Sequence, residues 1–85
     1  MTIIYNIDFF GASSIHIHDG EHQRFEGYAD ISQAPAAITE LCHKKNIYDV
    51  LVIGNTNFAC SIAAEIEQYN MKKYSNNRKI KVEVM

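Results

Sequence analysis

The sequence predicts an α/β protein with a five-stranded mixed sheet and two helices on one face of it. Three observations support this: alternating apolar residues near both ends of the chain, a run at residues 50–53 that is apolar on both faces, and two amphipathic stripes between residues 32 and 74. A chain of 85 residues has room for one hydrophobic core, so residues 1–85 are expected to form a single domain.

Three strands are expected before the first helix. Residues 2–8 are rich in β-branched side chains, and residues 13–18 alternate apolar with polar side chains. A third strand over residues 23–29 follows the Asp-Gly turn signal at residues 19–20.

The register of the hairpin between the second and third strands follows from its loop. If Gly20 takes the left-handed position of a three-residue loop, His16 faces His22. Phe25 then shares a face with Ile15 and Ile17, which a two-residue turn would not allow, so we expect the longer loop.

The rest of the chain predicts two α-β units. Ser32 is expected to cap a first helix that has Pro35 in its first turn and ends at Asn46. Its apolar stripe is Ala34, Ile38, Leu41 and Cys42. A central parallel strand is predicted at residues 49–54, and an edge strand at residues 80–84.

A longer helix over residues 58–74 is expected between these two strands, followed by a turn at residues 76–77. Its inner stripe is Phe58, Ile62, Ile66 and Tyr69, with Ala59 and Ala63 allowing close approach to the sheet.

The element order β-β-β-α-β-α-β resembles the ribonuclease H-like motif, which nucleases, resolvases and each half of actin-like ATPases share. The resemblance rests on element order and covers the whole chain. It implies the strand order 3-2-1-4-5, with the second strand antiparallel to the others.

One face of such a sheet is left open. Right-handed crossovers put both helices on the same face, yet residues 50–53 are apolar on both sides and Ile4 points away from Ile3, Tyr5 and Ile7. Exposed apolar surface of this kind usually marks an interaction site. We therefore expect a homodimer that forms through the open face.

Asp8 is similar to the metal-binding acid on the first strand of ribonuclease H-like nucleases. The resemblance implies further acids, for which Asp30 and Glu40 are the candidates and Mg²⁺ the ion. The fourth strand ends in Asn55, an amide where that family has a carboxylate. Residues 7–14 also resemble the first phosphate loop of the actin-like ATPases. The alternative, which we favour, is that Asp8 is part of a strand end and turn.

The segment from His16 to His22 offers a second candidate site. His16, His18 and His22 would form a three-nitrogen zinc site in the expected register, with Asp19 or Glu21 as a further ligand. A solvent-facing hairpin without metal is the favoured alternative.

Asn55, Thr56 and Asn57 follow a parallel strand and open a helix, where anions and other ligands gather in open α/β sheets. Ordinary helix capping is the alternative.

Composition limits the possible partners. The chain has 8 basic and 10 acidic residues and a net charge of −2, which argues against general nucleic-acid binding. The basic cluster at residues 72–81 is expected to complement a helix end and an edge strand, with a phosphate-binding patch as the alternative. No membrane span or signal peptide is expected.

Cys42 and Cys60 are expected to be buried, inert thiols in a cytoplasmic protein. The abundance of Ile, Asn, Lys and Tyr is typical of AT-rich genomes, including those that encode small phage proteins. Together the sequence favours a non-catalytic interaction module without a cofactor. A minimal metal-dependent nuclease and a metal-binding histidine hairpin are the alternatives.

Overall fold

The computed structural model of the protein describes residues 1–8, 13–74 and 78–85. Its elements are β1 (Thr2–Asn6), β2 (Ser14–Asp19), β3 (His22–Tyr28), α1 (Ala34–Lys45), β4 (Asp49–Ile53), α2 (Thr56–Lys73) and β5 (Lys81–Val84). The turn predicted at residues 76–77 lies outside the described residues, as do residues 9–12, half of the segment that resembles a phosphate loop. Within the described ranges, no helix is long and apolar enough to cross a membrane.

The strands form one mixed sheet in the order β3-β2-β1-β4-β5. β1 pairs antiparallel with β2 and parallel with β4, β2 pairs antiparallel with β3, and β4 pairs parallel with β5. The predicted fold class and strand order are therefore confirmed. The arrangement is consistent with the ribonuclease H-like motif.

The hydrophobic core lies between one face of the sheet and both helices. Along β1, Ile3 and Tyr5 are fully buried, whereas Ile4 between them is half-buried and Asn6 is exposed. The same alternation buries Ile15, Ile17, Val50 and Val52 of the neighbouring strands. The helices contribute Ala34, Ile38, Cys42, Ala59, Ile62 and Ile66 to this one core. α1 and α2 also contact each other, so both lie on the same face, as predicted.

Both helices begin differently from the prediction. The N-cap position of α1 is Gln33, without a side-chain cap, and the predicted cap Ser32 instead donates its hydroxyl hydrogen to Asp30 Oδ1 at 2.7 Å. α2 begins at Thr56, earlier than predicted. Phe58, predicted to face the core, is 50% exposed, and Ala59 is buried in its place. A small residue is favoured there because it lets the first turn of α2 approach the sheet.

The predicted register of the β2–β3 hairpin is wrong. Asp19 pairs with His22 across a two-residue loop, so His16 lies opposite Phe25 and Ile17 lies opposite Arg24. Phe25 therefore shares the open face with His16. A bulge between Ile15 and His16 shifts the register farther along the pair. Because β3 is mostly exposed, its side-chain pattern constrained the register little.

A close approach of backbones joins the carboxyl ends of β1 and β4. The Ile7 N–H donates to the Ile53 carbonyl oxygen at 2.7 Å, which continues the β1–β4 pairing by one residue. Gly54 follows with φ +140°, and a Cβ atom placed on it would lie 2.7 Å from Ile7 Cβ. Only glycine fits this junction without displacing Ile7.

A hydrogen bond from the buried Tyr5 hydroxyl connects β1 to the segment that leads into α1. It donates to the Ala29 carbonyl oxygen at 2.7 Å, and burial raises the pKa of the phenol.

We predict that Tyr5→Phe lowers the free energy of unfolding by about 1–2 kcal/mol, because the Ala29 carbonyl loses its buried partner. Urea titration would measure this loss. Tyr69→Phe, which removes exposed contacts of the hydroxyl with Glu40 at 3.4 Å and with Lys73 Nζ at 3.3 Å, should change the free energy of unfolding by less than about 0.5 kcal/mol. Equal losses would contradict the argument.

Candidate functional site

The face of the sheet opposite the helices carries a continuous apolar patch. The strand registers place Phe25, His16, Ile4 and Leu51 side by side across four strands. A second row, one pleat farther along, holds Tyr28, Ser14, Asn6 and Ile53. We call the residues Ile4, His16, Phe25, Tyr28, Leu51 and Ile53 the open-face patch.

An aromatic corner makes up one end of the open-face patch. The rings of His16 and Phe25 meet edge to face with centroids 5.4 Å apart, and those of Phe25 and Tyr28 do so at 4.9 Å. His16 Nε2 also lies 3.2 Å from Ser14 Oγ. Phe25 is 50% exposed and Tyr28 is 70% exposed, although large aromatic side chains are usually buried or engaged in an interface. The edge-to-face contacts hold these rings in one orientation.

Charged groups lie at the border of the patch. On β5, Lys81 pairs with Glu83 at 3.2 Å, and the register places both on the open face beside Asp49 and Leu51. The patch itself contains no formal charge when His16 is neutral. The open face therefore has an apolar centre and a polar rim, the distribution found in protein interfaces.

The structure separates the three histidines of the predicted zinc site. His16 and His18 lie on the open face, because their β1 partners are Ile4 and Thr2. His22 lies opposite Asp19, whose position in β2 alternates with His18 and so belongs to the other face. Within the described part of the chain, no three His, Cys, Asp or Glu side chains are grouped so as to hold a metal ion.

Ser13 links the Asp8 backbone to Ala29, the residue that precedes Asp30. Ser13 Oγ accepts the Asp8 N–H at 3.2 Å, and the Ser13 carbonyl accepts the Ala29 N–H at 3.0 Å. Asp30 Oδ1 accepts the Gln33 N–H at 3.0 Å as well as the Ser32 hydroxyl. This carboxylate thus stabilises the turn that leads into α1.

Glu40 is held on the outer surface by α2. Its Oε1 accepts hydrogen bonds from Lys73 Nζ at 2.7 Å and from the Tyr69 hydroxyl at 3.4 Å. The hydrogen bond from Lys73 keeps the pKa of Glu40 below its usual value, and the same contact raises the pKa of Lys73. Glu40 therefore pairs with a neighbouring helix, and the predicted set of Asp8, Asp30 and Glu40 does not form a three-acid group.

Asn55 caps α2. Its Oδ1 accepts the N–H groups of Asn57 at 3.0 Å and Phe58 at 3.5 Å, while Thr56 and Asn57 are exposed. The cap satisfies donors that an anion would otherwise contact. An anion site at Asn55, Thr56 and Asn57 remains a prediction.

A polar network that the sequence analysis missed lies where the two helices end. His43 Nε2 is 2.7 Å from Asn70 Oδ1, and the Tyr48 hydroxyl is 3.3 Å from His43 Nδ1. Because Asn70 Nδ2 donates to the Arg78 carbonyl at 3.2 Å, Oδ1 is the acceptor and Nε2 of neutral His43 carries the proton. His43 also stacks on Tyr74 with centroids 3.8 Å apart. The sequence feature that could have revealed this network is Asn70, a polar residue four positions after Ile66 on the buried stripe of α2.

The two cysteines differ in environment. Cys42 is fully buried, and burial raises the pKa of its thiol to about 12, so it is inert as predicted. Cys60 is exposed, and the prediction that it is buried is wrong. Both thiols are free.

Comparison with known proteins gives no assignment. No protein-family model matches the chain, and no curated protein matches it at a significant level. The class of protein is therefore defined by the structure alone, as a small α/β domain with ribonuclease H-like strand order and an open apolar face.

Proposed function

We propose that the protein is a non-catalytic interaction module that forms a homodimer through the open-face patch. The observation that carries this proposal is the placement of both helices on one face of the sheet. On the other face, none of the described residues forms a layer over Ile4, Leu51 and Ile53. Sheets that lack a covering layer commonly pack face to face, about 10 Å apart, with their strands within about 30° of each other.

The composition of the patch favours a second copy as the partner. Two copies of a patch without formal charge meet without repulsion, and a two-fold axis between the sheets makes each contact twice. Aromatic residues such as Phe25 and Tyr28 supply large contact area and are enriched in interfaces.

The dimensions of the face set the strength of the dimer. Five strands about 4.8 Å apart, each about five residues long, give a face of roughly 400 Å². Two such faces present roughly 800 Å² in projection, and side-chain relief raises the accessible area towards the lower limit of about 1,200 Å² for specific interfaces. We therefore expect a dissociation constant on the order of micromolar.

The proposal also assigns roles to the remaining candidates. Asp30 and Glu40 stabilise turns and helix contacts, which supports a non-catalytic role for the domain. The two free thiols support a cytoplasmic location, where the glutathione pool keeps such groups reduced.

A dilution series followed by methyl NMR tests this function. On dilution from millimolar to low-micromolar protein, we expect the methyl signals of Ile4, Leu51 and Ile53 to shift as the interface opens. Ile62 and Ile66, which lie in the core between α2 and the sheet, serve as internal controls and should stay constant. Constant signals at the three patch residues, or shifts confined to other surfaces, would refute an interface at the open face.

A further inference from the structure

The eight Lys and Arg residues of the chain are distributed unevenly. Seven of them follow the middle of α1: Lys44, Lys45, Lys72, Lys73, Arg78, Lys79 and Lys81. The two helices connect parallel strands, so their C-terminal ends lie at the edge where β4 and β5 begin. The β4–β5 side of this amino edge is therefore rich in cations, although the whole chain has a net charge of −2 and the β2–β3 loop with Asp19 and Glu21 lies at the same edge.

Two of these cations share one surface depression. Lys45 at the end of α1 and Arg78 before β5 line it, together with Met1, Asn46, Ile47, Tyr48 and Asp49. Its volume of about 410 Å³ falls within the range of roughly 300–1,000 Å³ that is usual for ligand sites. Lys44 and Lys79 adjoin it in the chain, and we call Lys44, Lys45, Arg78 and Lys79 the basic edge.

The cations of the basic edge are available to a ligand. All four are exposed. The salt bridges found in the described ranges use Arg24, Lys73 and Lys81 and none of the four. Asp49 is the acidic residue lining the depression, so the positive charges of Lys45 and Arg78 face one negative charge there. Lys79 lines a neighbouring depression that also contains Glu67. Lys44 and Lys45 also complement the negative end of the α1 dipole, but Arg78 and Lys79 lie outside any helix.

Arg78 is held in position before any ligand arrives. Its guanidinium carbon lies 4.9 Å from the centre of the Tyr48 ring, and its carbonyl oxygen accepts a hydrogen bond from Asn70. This cation–π contact restricts the side chain. An arginine oriented in this way suits the two-point recognition of a phosphate group.

We propose that the basic edge binds the phosphate backbone of a nucleic acid, with Lys45 and Arg78 contacting one phosphate in the depression. Cations beyond the depression favour an extended polyanion over a single small anion. The sequence argued against nucleic acid on overall charge, whereas the fold gathers cations at the β4–β5 end of one edge, with Asp49 as the acidic residue in the depression. The basic edge is distinct from the open-face patch, so this inference does not depend on the homodimer.

Fluorescence anisotropy with labelled oligonucleotides tests the proposal. The full chain is titrated into a 20-nucleotide single strand and a 20-base-pair duplex at about 50 mM and about 200 mM salt. We expect binding that weakens with salt, with a slope of log affinity against log salt of about −2 to −3, as for three or so phosphate contacts. The probe bound more tightly identifies the form of nucleic acid.

Charge-reversed variants locate the site. Arg78→Glu and Lys45→Glu should each weaken binding at least fivefold. Arg24→Glu, which changes the net charge equally on β3, the edge strand on the opposite side of the sheet from β5, should weaken it less than twofold. Circular dichroism tests whether the variants are folded. If Arg78→Glu is unfolded, Lys45→Glu alone locates the site. Equal losses in Arg24→Glu, no binding up to about 100 μM protein at 50 mM salt, or equal competition by polyglutamate would each overturn the proposal.

Discussion

Gly54→Ala should destabilise the protein by about 3 kcal/mol or more, the largest effect we expect from the loss of a single glycine. At φ +140° an alanine is strained, and its Cβ would lie 2.7 Å from Ile7 Cβ and 3.1 Å from the Ile7 carbonyl oxygen. The Ile7 backbone cannot withdraw without loss of its 2.7 Å hydrogen bond to Ile53. The variant therefore forces β1, the central strand, and its neighbour β4 apart at their carboxyl ends. Urea unfolding would measure the loss.

Gly27→Ala is the matched control for this prediction. Gly27 has φ +148°, close to that of Gly54, but a Cβ atom on it would meet nothing within 4 Å. It should show the backbone strain alone, about 1–2 kcal/mol. The difference between the two variants isolates the contact with Ile7. If both variants lose the same free energy of unfolding, the contact between Gly54 and Ile7 does not contribute to stability and the prediction is wrong.

Leu51→Lys should abolish the dimer while the monomer stays folded. Leu51 belongs to the open-face patch, where it lies beside Ile4, and a homodimer through this face would bury two of the new charges in one apolar interface. We expect the dissociation constant to rise at least 100-fold, equivalent to about 2.7 kcal/mol. Lysine is preferred to glutamate because Leu51 pairs with Glu83 on β5, which can accept the new cation in the monomer.

The control for this variant is Met71→Lys. Met71 is 71% exposed on α2, on the helix side of the molecule, and receives the same change in charge. Its dissociation constant should change less than threefold, and urea unfolding of both variants should stay within about 1 kcal/mol of the parent. A dimer that survives Leu51→Lys, or dissociates equally in Met71→Lys, would place the interface elsewhere.

The strands with one buried face were predictable from the sequence. Ile15 and Ile17 alternate with His16 and His18. This period of two shows which side chains face the core, whichever strands lie next to β2 in the sheet. The run of residues 50–53 likewise identified a central strand, because apolar side chains on both faces exclude an exposed edge. These signals fixed the order of elements and, with the handedness of the crossovers, the open face.

Features that depend on contacts between distant parts of the chain were harder to predict from the sequence. β3 is exposed along most of its length, so nothing in its pattern distinguished a two-residue loop from a three-residue one, and His22 was assigned to the wrong face. In α2, both Phe58 and Ala59 fit a helical stripe with Ile62, and tertiary approach to the sheet decided between them. Lys45 and Arg78 are 33 positions apart (78 − 45), and only the parallel crossovers bring them to one edge.

In the proposed homodimer, the open face of the sheet joins two copies of the chain. Light scattering behind size exclusion, over a concentration series from low-micromolar to millimolar protein in chelator, tests it most directly. We predict a weight-average mass that rises from 9.7 kDa towards twice that value, with a midpoint in the micromolar range. A mass that stays at 9.7 kDa throughout would contradict the homodimer and leave the open-face patch without its proposed partner.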